Sequence, residues 1–264
     1  MTRIKTVTKI FNLSDKIAIV TGSSRGIGKE IARQLVFQGA NVVISSRDLD
    51  ACKKVASKIN LENSGNTGRA FPISANIGRY DDLEKLVDTT KEEFGNPDIL
   101  VANAAINPIY GPMISMEEGV FTKILNTNVV SNFRLARLVA SGMKEKNAGS
   151  IIIISSIGGI RADANIGGYC VSKAADLQMV RSLALELGEF GIRVNAISPG
   201  LVKTEFARKL WEDEDIISVI RQKTPLRRLG RPEEFGGIAV FLASEASSFA
   251  TGQNFIIDGG ASII

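Results

Sequence analysis

Residues 21–30 read TGSSRGIGKE, with three glycines, two serines and an arginine in ten positions. An apolar run, residues 16–21, leads into this stretch, and a helical pattern over residues 27–37 follows it. Glycines let a backbone approach phosphate oxygens closely, and a helix N-terminus supplies free N–H groups and partial positive charge. The stretch therefore predicts a phosphate-binding turn between a strand and a helix.

Short apolar runs rich in β-branched residues recur along the whole chain and are apolar nearly throughout. That pattern is typical of parallel strands buried on both faces. Helical periodicity lies between the runs, most clearly at Leu83, Leu86, Val87 and Phe94. We predict one α/β domain with a doubly wound parallel sheet and helices on both faces. The predicted strands are residues 16–21, 41–46, 69–74, 98–102, 150–155, 193–198 and 254–257, and residues 201–228 interrupt the alternation.

Composition excludes several classes of function. The 264 residues carry a net charge of only +4 and no long basic run, so we expect no nucleic-acid partner. No stretch approaches the roughly 20 apolar residues of a membrane span, and the N-terminus is not a secretory signal. Two cysteines suit a reducing compartment, so we expect a cytoplasmic location. We interpret residues 1–13 as a lead-in and residues 14–264 as the domain.

The chain contains no histidine. This absence excludes Ser-His-Asp and Cys-His catalysis and removes the commonest metal ligand, so we expect no metal site. Acid–base chemistry near neutral pH must then come from carboxylates, Lys, Tyr or Cys.

The spacing of the glycines differs from that of two common phosphate-binding motifs. A P-loop needs G-x-x-x-x-G-K-[ST], but here five residues separate Gly22 from Gly28, and Glu30 follows Lys29. The common dinucleotide fingerprint G-x-G-x-x-G does not fit either, because the spacing is Gly22-x-x-x-Gly26-x-Gly28.

Six motifs together resemble those of the short-chain dehydrogenase/reductase family, over about residues 10–260. TGSSRGIG resembles the family's glycine motif, and residues 102–105 (ANAA) resemble its NNAG motif. The others are Asn128, Ser156 thirteen residues before Tyr169, Tyr169-x-x-x-Lys173, and Pro199-Gly200 with Thr204. The resemblance implies a Rossmann-type fold and hydride transfer between a nicotinamide cofactor and a carbonyl or alcohol.

The residue types suit that chemistry. The resemblance implies that Tyr169 is the acid/base, that Ser156 polarises the substrate oxygen, and that Asn128 holds a relay water. A tyrosine has an ordinary pKa of about 10. Lys173 lies one turn further along the same helix face, where its charge favours the tyrosinate and lowers that pKa. The resemblance also implies that Lys173 binds the nicotinamide ribose.

The second strand predicts NADP rather than NAD. Ser46 stands where NAD-preferring relatives carry Asp, Arg47 follows it, and Arg25 faces the same pocket from the glycine loop. These groups suit a 2′-phosphate. The alternative is two solvated arginines, with Asp48 or Asp50 partly neutralising Arg47. We predict that NADP(H) contacts Gly22, Ser24, Arg25, Gly26, Ile27, Gly28, Ser46, Arg47, Asn76, Ile77, Asn103, Ala104, Tyr169, Lys173, Pro199, Gly200, Val202 and Thr204.

Two segments are predicted to line the substrate site. They are residues 106–113 and residues 201–228, which form a lid in the family. Their apolar and aromatic residues suit a hydrophobic carbonyl compound, although the same residues would also suit packing on a neighbouring helix or subunit. They are Ile109, Tyr110, Met113, Phe206, Leu210, Trp211, Ile216, Ile217 and Ile220.

Three functions follow as hypotheses. Residues NAAINPIYGP, PGLVKTEF and RRLGRPEE resemble the dehydrogenase/reductase member four branch of NADP-dependent carbonyl reductases. The first hypothesis is therefore reduction of an aldehyde or ketone, or the reverse oxidation of an alcohol. The second is a 3-oxoacyl-[acyl-carrier-protein] reductase, and the third is an NADP-sensing binding protein without turnover. The resemblance also implies a homodimer or homotetramer.

Overall fold

The computed structural model describes residues 7–263, and it confirms the predicted α/β fold. All seven predicted strands form one parallel sheet in the order β3-β2-β1-β4-β5-β6-β7. Their boundaries agree with the apolar runs to within two residues. The strands are β1 Ile17–Thr21, β2 Asn41–Ser46, β3 Ala70–Ser74, β4 Ile99–Ala102, β5 Gly149–Ile154, β6 Ile192–Pro199 and β7 Asn254–Ile257.

Helices connect the strands and cover both faces of the sheet. They are α1 Val7–Ile10, α2 Gly26–Phe37, α3 Leu49–Glu62, α4 Tyr80–Phe94, α5 Glu118–Leu125, α6 Ser131–Lys146, α7 Gly167–Leu187, α8 Arg208–Trp211, α9 Glu214–Lys223 and α10 Gly236–Ala243. A π-helical turn, Asn126–Val130, joins α5 to α6. In residues 7–263 no helix is both long and apolar enough to cross a membrane.

Each buried strand contributes alternate side chains to two separate cores. In β5, Ile152 and Ile154 pack with α2, α3 and α10, whereas Ile151 and Ile153 pack with α4, α6 and α7. This division explains why the strands are apolar throughout rather than at every second residue.

The direction of the connections changes between β1 and β4, which are neighbours in the sheet. From β1 the chain proceeds outward to β2 and β3, and from β4 it proceeds the other way to β7. The loops after β1 and β4 therefore diverge at the carboxyl ends of these strands and leave a crevice there. Open parallel sheets bind ligands at such a switch point.

Candidate active site

The glycine loop after β1 is held by the side chain of Asn103 at the end of β4. Asn103 Nδ2 donates hydrogen bonds to the carbonyl oxygens of Thr21 at 2.8 Å and Gly22 at 3.2 Å. Gly22 and Gly26 have positive φ angles of 65° and 58°, which glycine adopts without strain. Gly28 packs beneath the loop, where an added Cβ would lie 2.4 Å from Asn103 Nδ2. The turn is thus rigidly tied to the adjacent strand.

Ser23 has a structural role in this loop that sequence reasoning missed. Its fully buried hydroxyl donates to Val20 O at 2.6 Å and accepts from Ser45 N at 2.9 Å. It therefore joins the loop to β1 and β2. No sequence signal separates it from its neighbour Ser24, which lines the cleft instead.

The crevice opens into a cleft of about 1620 Å³. Of the predicted cofactor residues, only Gly28 does not line it. The cleft thus brings together Gly22, Ser24, Arg25, Gly26, Ile27, Ser46, Arg47, Asn76, Ile77, Asn103, Ala104, Tyr169, Lys173, Pro199, Gly200, Val202 and Thr204.

Positive charge collects at the end of the cleft next to β2. Arg25 and Arg47 are both exposed there, and within residues 7–263 neither forms an ion pair. The two acidic neighbours of Arg47 are engaged elsewhere. Asp48 caps α3 by accepting from Ala51 N at 3.0 Å, and Asp50 pairs with Lys53 at 3.6 Å. Neither carboxylate forms an ion pair with Arg47 among the described residues, but both arginines are exposed, as the alternative of solvated arginines requires.

The amide of Asn76 is partly committed within its own turn. Its Oδ1 accepts from Gly78 N at 3.1 Å, and its backbone N donates to Asp82 at 2.9 Å. The side chain thus keeps its N–H₂ donor available to the cleft.

Ser156, Tyr169 and Lys173 meet in the middle of the cleft. Ser156 follows β5, and its hydroxyl lies near Tyr169, which is in the first turn of α7. Lys173 Nζ lies one helical turn further on, 5.7 Å from the centroid of the Tyr169 ring. Lys173 is only 1% exposed, and its Nζ donates to Ile154 O at 2.7 Å.

Burial and the charge of Lys173 shift the pKa of Tyr169 in opposite directions. Burial raises the pKa of Tyr169, whereas the charge of Lys173 and the nearby Ser156 hydroxyl lower it. Burial is the larger influence, so the pKa of Tyr169 lies above its ordinary value. The expected effect of Lys173 has the predicted direction, but it does not dominate here.

Asn128 lies behind the cleft and does not line it. It sits in the π-helical turn, fully buried. Its Oδ1 accepts from Ile106 N at 2.8 Å, and its Nδ2 donates to Ile106 O and to Ser172 Oγ, both at 3.0 Å. The side chain therefore ties the loop after β4 to α7, and π-helical turns are frequent at functional sites.

Two buried polar residues behind Lys173 were not predicted. Asp176 Oδ2 lies 3.0 Å from Lys173 Nζ, and Asp176 Oδ1 accepts from Asn132 Nδ2 at 3.0 Å. Asp176 is 0% exposed and Asn132 is 2% exposed. Burial alone lowers the pKa of Lys173, but Asp176 and Tyr169 outweigh it and raise that pKa above its usual value. An aspartate three residues after a lysine on an apolar helix face was the available sequence signal.

The other end of the cleft is apolar and aromatic in part. The Phe206 ring lies 6.0 Å from the Tyr169 ring, measured between centroids. Of the predicted substrate-lining residues, Tyr110, Phe206, Leu210 and Ile220 line the cleft.

The other predicted lining residues lie elsewhere. Trp211 Nε1 donates to Thr204 O at 2.6 Å, Met113 packs against Gly167, and Ile217 is buried. Ile109 does not line the cleft, and the side chain of Ile216 lies outside the described part of the chain.

Comparisons with known proteins identify the family of the chain. A family model described as enoyl-(acyl carrier protein) reductase matches residues 22–262. The seven-stranded parallel sheet is a Rossmann-type fold, and similar solved structures are described as dehydrogenases. The chain belongs to the short-chain dehydrogenase/reductase family. It is 41% identical to rabbit (Oryctolagus cuniculus) dehydrogenase/reductase SDR family member 4 over 97% of this chain and 96% of the relative.

Two solved structures illustrate the range of relatives. A gluconate 5-dehydrogenase from Burkholderia cenocepacia, in complex with NADP and tartrate, superposes with a TM-score of 0.91 at 29% identity, covering 98% of this chain and 100% of that one. A 7α-hydroxysteroid dehydrogenase with NADH and 7-oxo glycochenodeoxycholic acid has a TM-score of 0.91 at 36% identity, covering 97% and 98%. The family is therefore clear, but these neighbours differ in both cofactor and substrate.

The contact beneath Gly28 generates a stability prediction. Gly28→Ala places a methyl against Asn103 Nδ2 and Gly22 O, so the loop must shift. We expect the free energy of unfolding to fall by about 1–3 kcal/mol. Urea unfolding measures it. Gly237→Ala in α10 is the matched control, because nothing lies within 4 Å of its added Cβ. Equal stabilities of the two variants would contradict the proposed anchor.

Proposed function

We propose that this protein is an NADP(H)-dependent oxidoreductase that reduces an aldehyde or ketone, or oxidises the corresponding alcohol. The observation that carries the proposal is the meeting of Ser156, Tyr169 and Lys173 in the dinucleotide-sized cleft. Membership of the short-chain dehydrogenase/reductase family supports it.

The residues of the cleft fit a dinucleotide. Gly22 packs so closely on Ala104 that an added Cβ would lie 3.0 Å from the Ala104 Cα, which keeps the glycine loop against the residues that follow β4. The free N–H groups at the start of α2 suit a phosphate. The N-terminus of α2, at Gly26, faces the same loop. Arg25 and Arg47, free of ion pairs among the described residues, would bind the 2′-phosphate of NADP. The NADP-bound gluconate 5-dehydrogenase and the NADH-bound hydroxysteroid dehydrogenase support a nicotinamide cofactor.

A nicotinamide cofactor, when bound, exchanges a hydride with the substrate carbon. This chain then has to manage the proton and the charge on oxygen. In the reducing direction, the Tyr169 O–H donates its proton to the substrate oxygen, and the Ser156 hydroxyl donates a hydrogen bond to that oxygen. Lys173 stabilises the tyrosinate that remains. In the oxidising direction, the same groups act in reverse.

We assign Asn128 a positioning role. Both N–H groups of its amide and its Oδ1 are engaged with Ile106 and Ser172. A relay water, as the family resemblance implies, would therefore bind its backbone carbonyl rather than its side chain. Loss of the amide would free the loop after β4 from α7.

The substrate end favours a hydrophobic carbonyl compound, because the Phe206 ring lies beside Tyr169, and because Tyr110, Leu210 and Ile220 also line the cleft. The second candidate is a 3-oxoacyl thioester reductase, and the acyl-carrier-protein description of the matching family model favours testing it. An NADP sensor without turnover is the third candidate. A cytoplasmic location and a homodimer or homotetramer remain predictions.

The catalytic assignment predicts that Tyr169→Phe lowers kcat by at least about 100-fold, since general acid catalysis contributes that much or more. The assay follows NADPH absorbance with aldehydes, diketones, quinones, retinal and an acetoacetyl thioester. Tyr80→Phe is the control, because this tyrosine lies on α4 and bonds Arg137. A Tyr169→Phe variant as active as wild type would disprove the role of Tyr169.

The same panel separates the candidate functions. Faster turnover of the acetoacetyl thioester than of simple ketones would favour the 3-oxoacyl reductase. Tight NADPH binding without turnover of any compound would favour the sensor.

The two arginines predict cofactor selectivity. We expect Arg25→Ala and Arg47→Ala each to weaken NADPH binding by about tenfold, because each loses a charge-assisted bond worth about 1.5 kcal/mol or more. NADH binding should change little. Titration calorimetry measures the dissociation constants of NADPH and NADH. Lys53→Ala is the control, because it makes the same change of charge outside the cleft. Equal effects on NADH and NADPH would contradict the 2′-phosphate assignment.

A further inference from the structure

The buried carboxylate of Asp176 has no part in the mechanism above, although it lies next to Lys173. Lys173 Nζ has three N–H donors. One bonds Ile154 O at 2.7 Å and one bonds Asp176 Oδ2 at 3.0 Å, which leaves one for the cleft. The two bonds come from different elements, β5 and α7, so they fix the ammonium from two sides.

Burial raises the pKa of Asp176, whereas the charge of Lys173 and the hydrogen bonds from Asn132 and Lys173 lower it. The contacts of its two oxygens are those that stabilise the ionised form. Each oxygen accepts one hydrogen bond, Oδ2 from Lys173 and Oδ1 from the Asn132 amide on α6. The Asp176 carboxylate is shielded from bulk water, since Asp176 is 0% exposed, and Lys173 is only 1% exposed where it reaches the cleft. A charge in such a place requires a partner, and the carboxylate and the ammonium provide it for each other.

We propose that Asp176, oriented by Asn132, is a positioning residue that keeps Lys173 charged and directed into the cleft and thereby sets the pH range of carbonyl reduction. This inference rests on the proposed function, because it concerns the same Tyr169–Lys173 pair. Asp176 adds a negative charge next to the Tyr169 phenol and the Lys173 ammonium.

Asp176 is expected to move the high-pH fall of the reduction rate in the same direction whether Tyr169 or Lys173 is the group that loses its proton. Carbonyl reduction requires the protonated pair, with Tyr169 as phenol and Lys173 as ammonium. A nearby negative charge makes removal of a proton from either group harder, and the two groups titrate as a coupled pair. The rate therefore falls as pH rises through the apparent pKa of the pair, and Asp176 moves that fall to higher pH. The charge of Asp176 also raises the pKa of Tyr169 taken alone.

Other groups that face the pair are few in the described part of the chain. The thiol of Cys170 lies on α7 beside Tyr169, and burial raises its pKa, so it stays neutral near pH 7. Ser156 after β5 contributes a hydroxyl. The principal charge that acts on the pair is thus the Asp176 carboxylate.

The test is the pH dependence of kcat/KM for NADPH-linked carbonyl reduction by Asp176→Asn. The variant keeps the shape of the side chain, and the Asn132 amide can rotate to present its oxygen. We expect the high-pH fall to move down by about one to three pH units. Asp88→Asn, which removes an exposed carboxylate paired with Lys91, should leave the fall in place.

A purely structural role would lower the rate equally at every pH, so a fall that stays within about 0.3 pH units would overturn the proposal. Should Asp176→Asn not fold, the double variant Asn132→Leu, Asp176→Leu removes the carboxylate together with its Asn132 donor, so that Lys173 Nζ alone loses a partner and keeps its bond to Ile154 O. It should show the same shift. Tyr169→Phe in parallel separates the two hypotheses. If that variant kept full activity, the proposed function itself would fail, whatever Asp176 does.

Discussion

A charged ammonium inside an apolar interior is the main constraint on this structure. Lys173 lies between the sheet and two helices, where an unpaired charge would be costly, so β5 supplies a carbonyl and α7 supplies a carboxylate. Asn132 on α6 then completes the bonding of that carboxylate. Because these three elements must meet at Lys173, their packing also fixes Tyr169 and Ser156 on the cleft side. The buried polar network around Lys173 and the reactive side chains of Tyr169 and Ser156 in the cleft are therefore positioned by the same three elements.

The opposite side of the cleft depends on a second polar anchor. Asn103 at the end of β4 bonds the carbonyls that end β1 and begin the glycine loop. The Asn103 amide also restricts residue 28 to glycine, because a Cβ at that position would collide with Asn103 Nδ2. Arg25 in this loop and Arg47 after β2 carry positive charge at this end of the cleft, and neither has an ion-pair partner in residues 7–263. One end suits phosphate, and the other end, beside Phe206, suits an apolar group.

The sequence predicted those features that local patterns encode. Buried parallel strands are apolar throughout, so all seven were found, and the glycine spacing and the Tyr169-x-x-x-Lys173 motif located the cleft. Contacts between distant elements were not predictable. Asn132 and Asp176 are 44 positions apart, and only the packing of α6 on α7 brings them together. For the same reason Met113 and Trp211 were assigned to the substrate site from hydrophobicity, whereas tertiary contacts direct them to Gly167 and Thr204. The proposed roles of the cleft residues rest on chemistry and family resemblance.

The central claim is that one cleft holds an NADP molecule between Arg25 and Arg47 at one end and Tyr169 and Lys173 at the other. A crystal structure of the protein with NADP⁺ tests it most directly. We expect the 2′-phosphate in contact with both arginines, and the nicotinamide ribose within hydrogen-bond distance of Tyr169 Oη and Lys173 Nζ. A dinucleotide bound in the reverse direction, or one whose ribose does not reach Lys173, would disprove the proposed arrangement.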